Sequence, residues 1–378
     1  MYMPTERKEG AQRRRGVGFS RAKGPAEHMS WTSLAVYLAL VLAWLLYCGL
    51  HTFHIGRMPL PRSQALAIGV SFAAFVSLAA AWVMLGLRVL GRRLGWSHQP
   101  GLLDRRWVRV ALLLLLVLSA GAYLYGRYVE PRWLVVRELR LGQAGRDAVR
   151  IAVISDLHIT KDGPPWTELA RAVNDTRPDM ILLLGDTLNR GAALPVLHRV
   201  LGAMKAPRGK FAVRGNWEAW YWSQLPLLEG TGFRWLQGPS PTVTRTVRGI
   251  TVHLAGLPYR DGRAPGDAEA LVSRLPADGG WRLFLYHTPD LAPVPSADLY
   301  LAGHTHGGQV ALPFFGALVT LSHHGKRFER GRVQVGRTVV YTNPGIGVEP
   351  MIPLRVGVRP EVTLVKLGRR GATTGVAR

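Results

Sequence analysis

Apolar positions follow two different patterns along the chain. The first third holds three uncharged apolar segments: Trp31–Leu50, Gln64–Leu87 and Val110–Gly126. A bilayer core takes about 20 apolar residues in a helix, so the first two fit comfortably and the third is short. Trp31, Tyr47, Trp82, Tyr123 and Tyr125 stand near the segment ends, where interfacial aromatics gather. The pattern predicts three transmembrane helices, at about 31–50, 64–87 and 110–126. From about Leu141 the apolar runs shorten and alternate with polar turns. VRIAVISDLH, DMILLLGDT and GKFAVRGNWE read as strands running into turns, separated by the amphipathic stretches PPWTELARAVNDT and ALPVLHRVLGAM. Further on, WRLFLYHTPD and ADLYLAGHTHGGQV read as strands as well. Strands alternating with helices predict an α/β layer structure with parallel pairing. The expected organisation is a basic disordered tail (1–30), a membrane domain (31–128), a linker with a first strand (129–148), a catalytic domain (149–368) and a disordered tail (369–378).

Charge refines this picture. The chain has 48 Lys and Arg against 24 Asp and Glu, a net charge of +24. The N-terminal tail carries Arg7, Lys8, Arg13, Arg14, Arg15, Arg21 and Lys23, the first loop only Arg57 and Arg62, and the second loop Arg92, Arg93, Arg105 and Arg106. The Lys/Arg bias of loops predicts a cytoplasmic N-terminus and, after three spans, a catalytic domain outside an inner (cell) membrane. Arg127, Arg132, Arg137 and Arg140, just after the third span, run against that orientation. The triplet Arg13–Arg15 has a poor flanking pattern for a twin-arginine signal. Much of the positive charge belongs to membrane flanks, so nucleic acid is not expected as a partner. Cys48 is the only cysteine, which rules out an intrachain disulfide and a thiolate zinc site.

Candidate chemistry sits at the strand ends, where open α/β sheets place their ligands. Asp156, His158, Asp186, Asn216, His287, His304 and His306 all occupy such positions. Each is a ligand type for Mn²⁺, Fe or Zn²⁺. Seven are too many for one ion but suit two, and a pair of ions can activate a water and stabilise a displaced oxygen. His198 on a helix, His253 in a strand, and His323 with His324 in a loop read as structural or solvated.

In order, the blocks DLH, GDT, GNWE, the lone His287 and GHTH resemble the calcineurin-like metallophosphoesterases. The resemblance covers about 149–368 and extends to GGQVALPFFGAL, RFERGRVQV, YTNPGIG and LRVGVRPEVTLVKL, which look like the membrane-anchored branch. It implies a four-layer α/β/β/α sandwich and two divalent ions, manganese favoured. One ion would take Asp156, His158 and His306, the other Asn216, His287 and His304, with Asp186 as the bridge. Asp186, Asn216 and His304 would carry the metal-borne chemistry. After Asn216 most of the family has a His, thought to protonate the leaving oxygen. Here Trp217 stands in its place, and an indole N–H does not ionise usefully.

Four readings of Trp217 follow. The leaving group is acidic and needs no proton; or Trp217, with Trp220, Tyr221 and Trp222, lines an apolar or base-stacking wall; or Trp217 merely packs against the domain; or Glu218 or His323 supplies the proton. More distantly the chain is similar to the UDP-2,3-diacylglucosamine hydrolases of lipid A synthesis, which also lack this His. The resemblance implies a hydrolase of phosphoric ester or pyrophosphate bonds acting on a lipid-linked substrate at the bilayer. The alternatives are an extracytoplasmic phospholipid or phosphodiester phosphatase, and a non-catalytic membrane sensor or scaffold. Oligomeric state is open.

Overall fold

The computed structural model describes residue 86 and residues 105–370, except 164, 239, 351 and 352. The expected spans at 31–50 and 64–87, apart from Gly86, and the basic N-terminal tail lie outside the described residues. The third expected span, 110–126, runs along helix α1 (Arg106–Leu124) and into the turn that follows it. It is longer than its apolar run suggested, because the chain winds on through a π-helical turn (Tyr125–Val129) and a 3₁₀ turn (Glu130–Arg132). Together these make 27 helical residues, about 40 Å at 1.5 Å per residue. Among the described residues this is the one helix long and apolar enough to cross a membrane. Leu113, Leu114, Leu115, Val117 and Leu118 along it are exposed, which suits a lipid environment and not water.

Fourteen strands follow: β1 (Val135–Leu141), β2 (Val149–Ile154), β3 (Met180–Leu183), β4 (Lys210–Ala212), β5 (Phe233–Trp235), β6 (Thr242–Val247), β7 (Ile250–Gly256), β8 (Trp281–Leu285), β9 (Leu299–Ala302), β10 (Ala311–Leu312), β11 (Gly316–Ala317), β12 (Gly331–Val335), β13 (Thr338–Thr342) and β14 (Glu361–Leu367). The first sheet has the order β1-β14-β2-β3-β4-β5 and the second β12-β13-β9-β8-β7-β6, while β10 and β11 form a separate hairpin. Strands β2 to β5 are parallel, as are β7, β8, β9 and β13, with antiparallel pairing at β14–β2, β6–β7 and β12–β13.

Alternation along the strands builds the layers. Ile151 and Val153 of β2, Met180 and Leu182 of β3, Leu283 and Leu285 of β8, and Leu299 and Leu301 of β9 share one core between the sheets. Their neighbours point outward. Ala152, Ile154, Ile181 and Leu183 pack against helices α2 (Trp166–Asp175) and α3 (Leu194–Gly202). Phe284, Tyr300 and Ala302 pack with Ala268 and Val272 of another helix, which is α5 (Pro265–Val272) once the five-residue α4 (Asn216–Trp220) is counted. Strands covered on both faces explain the unbroken apolar runs in the sequence. The four-layer α/β/β/α arrangement is the one the resemblance implied.

Arg137 pairs with Glu361 at 3.1 Å, and Arg140 pairs with Glu138 at 2.6 Å. Two of the four arginines that follow the third span thus make ion pairs on the edge strand β1.

Candidate metal centre

The loops after β2, β3, β4, β8 and β9 meet at one edge of the two sheets. Asp156 N–H donates to Gly185 O and His158 N–H to Asp186 O, both at 3.0 Å, so the first two loops run side by side. Gly303 N–H donates to His287 O at 2.8 Å, which aligns the ends of β8 and β9. The Asp156 carboxylate accepts from His304 N at 3.0 Å, joining the two sheets. A side chain at Gly303 would have its Cβ 2.4 Å from Asp156 Oδ2, and one at Gly215 would lie 2.2 Å from Asp186 Oδ1. Only glycine allows these approaches.

Convergence strains the backbone. Asp156 (φ 51°), His158 (47°), Asp186 (55°), His304 (71°) and His306 (50°) all adopt the left-handed region, which costs an L-residue on the order of 1–2 kcal/mol. Such strain concentrates where side-chain aim matters more than local comfort.

The side chains form two buried groups, Asp156 with His158 and His306, and Asp186 with His287 and His304. Asp186 Oδ2 lies 3.2 Å from His287 Nε2 and 3.6 Å from His158 Nε2, so it reaches both. His306 Nε2 is 3.3 Å from Asp156 Oδ1. Asn216 opens α4 beside them, and Asp186 Oδ1 accepts from Trp217 N at 2.9 Å. All seven expected residues are buried at this one place.

The donor set fits cations. Asn216 Oδ1 and His158 Nε2 are buried without a hydrogen-bond partner, and buried polar atoms rarely remain so. His287 Nδ1 meets Leu184 O at 2.7 Å and His304 Nε2 meets Leu321 O at 3.1 Å. Each nitrogen facing a carbonyl must carry the proton. The other nitrogens, His287 Nε2 and His304 Nδ1, then turn lone pairs towards each other across 3.2 Å. A cation resolves that repulsion; without one a proton must. Burial lowers His287, but the Asp186 and Asp156 carboxylates outweigh it and raise the imidazole to about 10. Burial lowers His158 and His304 to about 3, leaving both in the neutral, ligating form. Burial would raise Asp156, yet His306, His287 and His158 around it hold it far below the usual carboxylate range.

Several supporting residues carry no signal in the strand-end pattern. Asn189 Oδ1 accepts from His158 Nδ1 at 2.7 Å, fixing that ring's tautomer, as outer partners of metal ligands do. Its position in GDTLN was the available clue. Arg355 is fully buried and donates to Gly347 O at 2.8 Å and Pro344 O at 2.9 Å, with Nη2 3.3 Å from His306 Nδ1. Nothing in its local sequence singles it out, because the contact is made across 49 residues.

The proton-donor candidates need correction. Glu218 is fully buried and accepts from Asp186 N at 2.8 Å and from Thr187 N, Thr187 Oγ1 and Gly215 N at 2.7 Å. Its carboxylate is consumed in clamping the GDT and GNWE loops together, so it is not the acid. His323 is exposed on the loop next to Leu321, its backbone N–H donating to Asp290 Oδ1 at 2.9 Å. His198 meets Pro226 O at 2.9 Å, and His253 lies 2.8 Å from both Thr244 Oγ1 and Asp278 Oδ1. Both are structural, as expected. His324 packs edge-on against Phe328.

Trp217 sets its ring edge-to-face on His158 at 5.1 Å. It lines an open cleft of about 360 Å³ with Tyr221, Trp222, Arg190, Asn189 and Thr160. Trp220, expected on the same wall, instead packs on Tyr259 at 5.9 Å.

Comparison with known proteins agrees with this geometry. The calcineurin-like phosphoesterase family matches residues 149–308. The chain is 31% identical to the metallophosphoesterase YkuE of Bacillus subtilis over 66% of its own length and 91% of that protein. It is 29% identical to the phosphodiesterase YaeI of Escherichia coli over 66% of its own length and 94% of YaeI. It is 27% identical to a transmembrane protein with metallophosphoesterase domain of Danio rerio, over 68% of this chain and 62% of the relative. This transmembrane relative and the apolar helix α1 together point to membrane association. With nine-tenths of a 31%-identical metallophosphoesterase spanned and two Asp/His groups at the strand ends, the chain belongs to the calcineurin-like phosphoesterases and is a metal-dependent phosphoester hydrolase.

Proposed function

We propose that this protein is a membrane-anchored dimetal phosphoesterase that cleaves a phosphoric ester or pyrophosphate with an acidic leaving group, on a lipid-linked substrate such as UDP-2,3-diacylglucosamine. The observation that carries the reading is Trp217, which stands between the His158 ring and the open cleft. Asp156, His158 and His306 would hold one ion, and Asn216, His287 and His304 the other, with Asp186 between them. Two divalent ions, manganese favoured, would supply Lewis acidity and a nucleophilic water. The chain supplies positioning: Glu218 and Asn189 hold the ligands, and Gly215 and Gly303 let the loops close. Arg190 lines the cleft and is exposed. Its guanidinium suits a departing phosphate, which needs no added proton because its second pKa is about 6. Tyr221 and Trp222 extend the aromatic wall towards a base or an acyl chain.

Three spans, a cytoplasmic N-terminus and an external catalytic domain remain part of the proposal. A nucleotide-linked lipid is made in the cytoplasm, so the external placement favours a second reading, an extracytoplasmic phospholipid or phosphodiester. The relative named as a phosphodiesterase supports that reading too. A non-catalytic scaffold is disfavoured by the intact set of seven ligand-type residues buried at one place.

The test is a leaving-group series with the purified full chain and Mn²⁺. Wild type is expected to cleave aryl and pyrophosphate substrates and to fail on alkyl esters. Trp217→His should then raise the alkyl rate about 10²-fold, the lower end of general-acid catalysis. A wild-type rate insensitive to leaving-group pKa would sink the acid-free site, and His323→Ala would then be the variant to assay for the lost proton. Hydrolysis of UDP-2,3-diacylglucosamine against a simple phosphodiester separates the two substrate readings.

A further inference from the structure

The GHTHGG loop does not return directly to a sheet. Four residues beyond His306 it passes into the hairpin β10–β11, whose tip is Pro313, Phe314 and Phe315. The tip is apolar and unshielded. Phe314 is 112% exposed, Phe315 59% and Leu312 48%. Phe314 also takes a left-handed backbone conformation, φ 62°, which is unfavourable for a bulky side chain. A water-facing tip has no reason to hold two exposed phenylalanines, one of them in strained geometry. Exposed apolar features of this kind mark surfaces that meet something.

What it meets is indicated by its neighbours. Ala311 N–H donates to Val356 O at 2.8 Å, and Val310 forms a bridge with Val356. The same segment receives the end of the membrane helix. Arg355 N–H donates to Gly126 O at 2.8 Å, and Gly357 N–H donates to the buried Glu130 carboxylate at 2.8 Å. A Cβ on Gly126 would stand 2.7 Å from Val356, so helix and loop are in direct contact. Around this junction Tyr125, Tyr128 and Trp133 are exposed, as aromatics at a membrane interface are. Exposed cations surround the hairpin and the junction. Lys326 sits 3.5 Å over the Phe315 ring and donates to its carbonyl oxygen, and Arg359 sits 3.5 Å over Trp133. Arg330 donates to Gly357 O at 2.8 Å, and Arg127 and Arg132 flank the helix end.

We infer that the β10–β11 hairpin is a wedge that enters an anionic lipid bilayer beside helix α1. Phe314 and Phe315 lie among the acyl chains and the surrounding cations at the headgroups. An apolar tip with Lys326 against it, and with Arg127, Arg132, Arg330 and Arg359 about the adjoining helix junction, matches such a surface in composition and charge. The proposal rests on the membrane-anchored reading and extends it. The wedge grows from the strand-end loop that carries His304 and His306, so seating it fixes those histidines at headgroup depth and makes bilayer lipids the substrate class within reach.

The test uses the full chain in phosphatidylcholine–phosphatidylglycerol vesicles. With Cys48→Ser removing the only native thiol, an environment-sensitive fluorophore is placed at Phe314→Cys, and in a second variant at Leu312→Cys. Glu229→Cys serves as the control, exposed on the loop into β5 at the sheet edge opposite β1. Brominated lipids should quench the label at 314 about twofold or more while aqueous iodide leaves it unaffected, with the reverse at 229. Iodide quenching at 314 and 312 equal to the control overturns the wedge. Protection from both quenchers also overturns it, since a second copy or another protein then covers the hairpin. The readout does not depend on turnover. Lipid quenching without hydrolysis of any lipid phosphate would leave the wedge standing and remove the proposed substrate class.

Discussion

Asp186→Asn is expected to reduce turnover about 10³-fold, the scale of losing one preorganised electrostatic element in a closed site. Bound metal in the purified chain should fall from about two ions to one or fewer, since Asp186 is the side chain that reaches both groups. The substitution is nearly isosteric, and the amide oxygen can still accept from Trp217 N–H, as Asp186 Oδ1 does at 2.9 Å. The backbone of residue 186 is held separately, by Glu218. The loops should therefore keep their shape. Without metal the Asp186 carboxylate also faces the His287 imidazole at 3.2 Å, so the variant and wild type are compared both with and without metal. Metal analysis, kinetics and thermal unfolding together separate a lost bridge from a lost fold. Two ions retained with near-normal turnover would show that Asp186 does not bridge.

Glu218→Ala is expected to destabilise the catalytic domain by about 3–5 kcal/mol, the range seen when one partner of a buried charged network is removed. Four donors lose their acceptor at once: Asp186 N, Thr187 N, Thr187 Oγ1 and Gly215 N. In a domain of this size each kcal/mol moves Tm by roughly 2–4 °C, so a fall on the order of 10 °C should appear by near-UV circular dichroism of the full chain in detergent. Glu218→Gln should lie between, because one oxygen survives while the new NH₂ faces backbone donors. A general acid would behave otherwise. Its Gln variant would hold wild-type Tm and lose rate only on poor leaving groups, an outcome that would refute the clamp.

The sequence alone determined the strands and helices of the catalytic domain and which Asp, Asn and His residues gather at its strand ends. Strands buried on both faces leave unbroken apolar runs such as Ile151–Ile154 and Met180–Leu184, and α2 and α3 leave amphipathic ones. A strand followed by a polar turn brings its ligands to the carboxyl edge whatever the detailed packing, so Asp156, Asp186, Asn216 and the histidines were legible from order and spacing. Local signal ends where contacts become long-range. GNWE on its own makes Glu218 look like a spare acid beside Trp217. Only the fold turns its carboxylate inward onto the GDT loop, 31 and 32 residues away. Arg355 sits in an unremarkable LRVGV, and its place behind His306 depends on two distant loops meeting. Trp217, Trp220, Tyr221 and Trp222 read as one aromatic wall, yet in the fold Trp220 packs on Tyr259 while the other three line the cleft. PFFG lies in GGQVALPFFGAL, which looks like the membrane-anchored branch, but only packing sets its hairpin against the segment that meets the end of α1. Periodicity records which face of an element is buried, whereas the partner of a buried charge or an exposed aromatic is chosen by chain segments that meet only in the folded state.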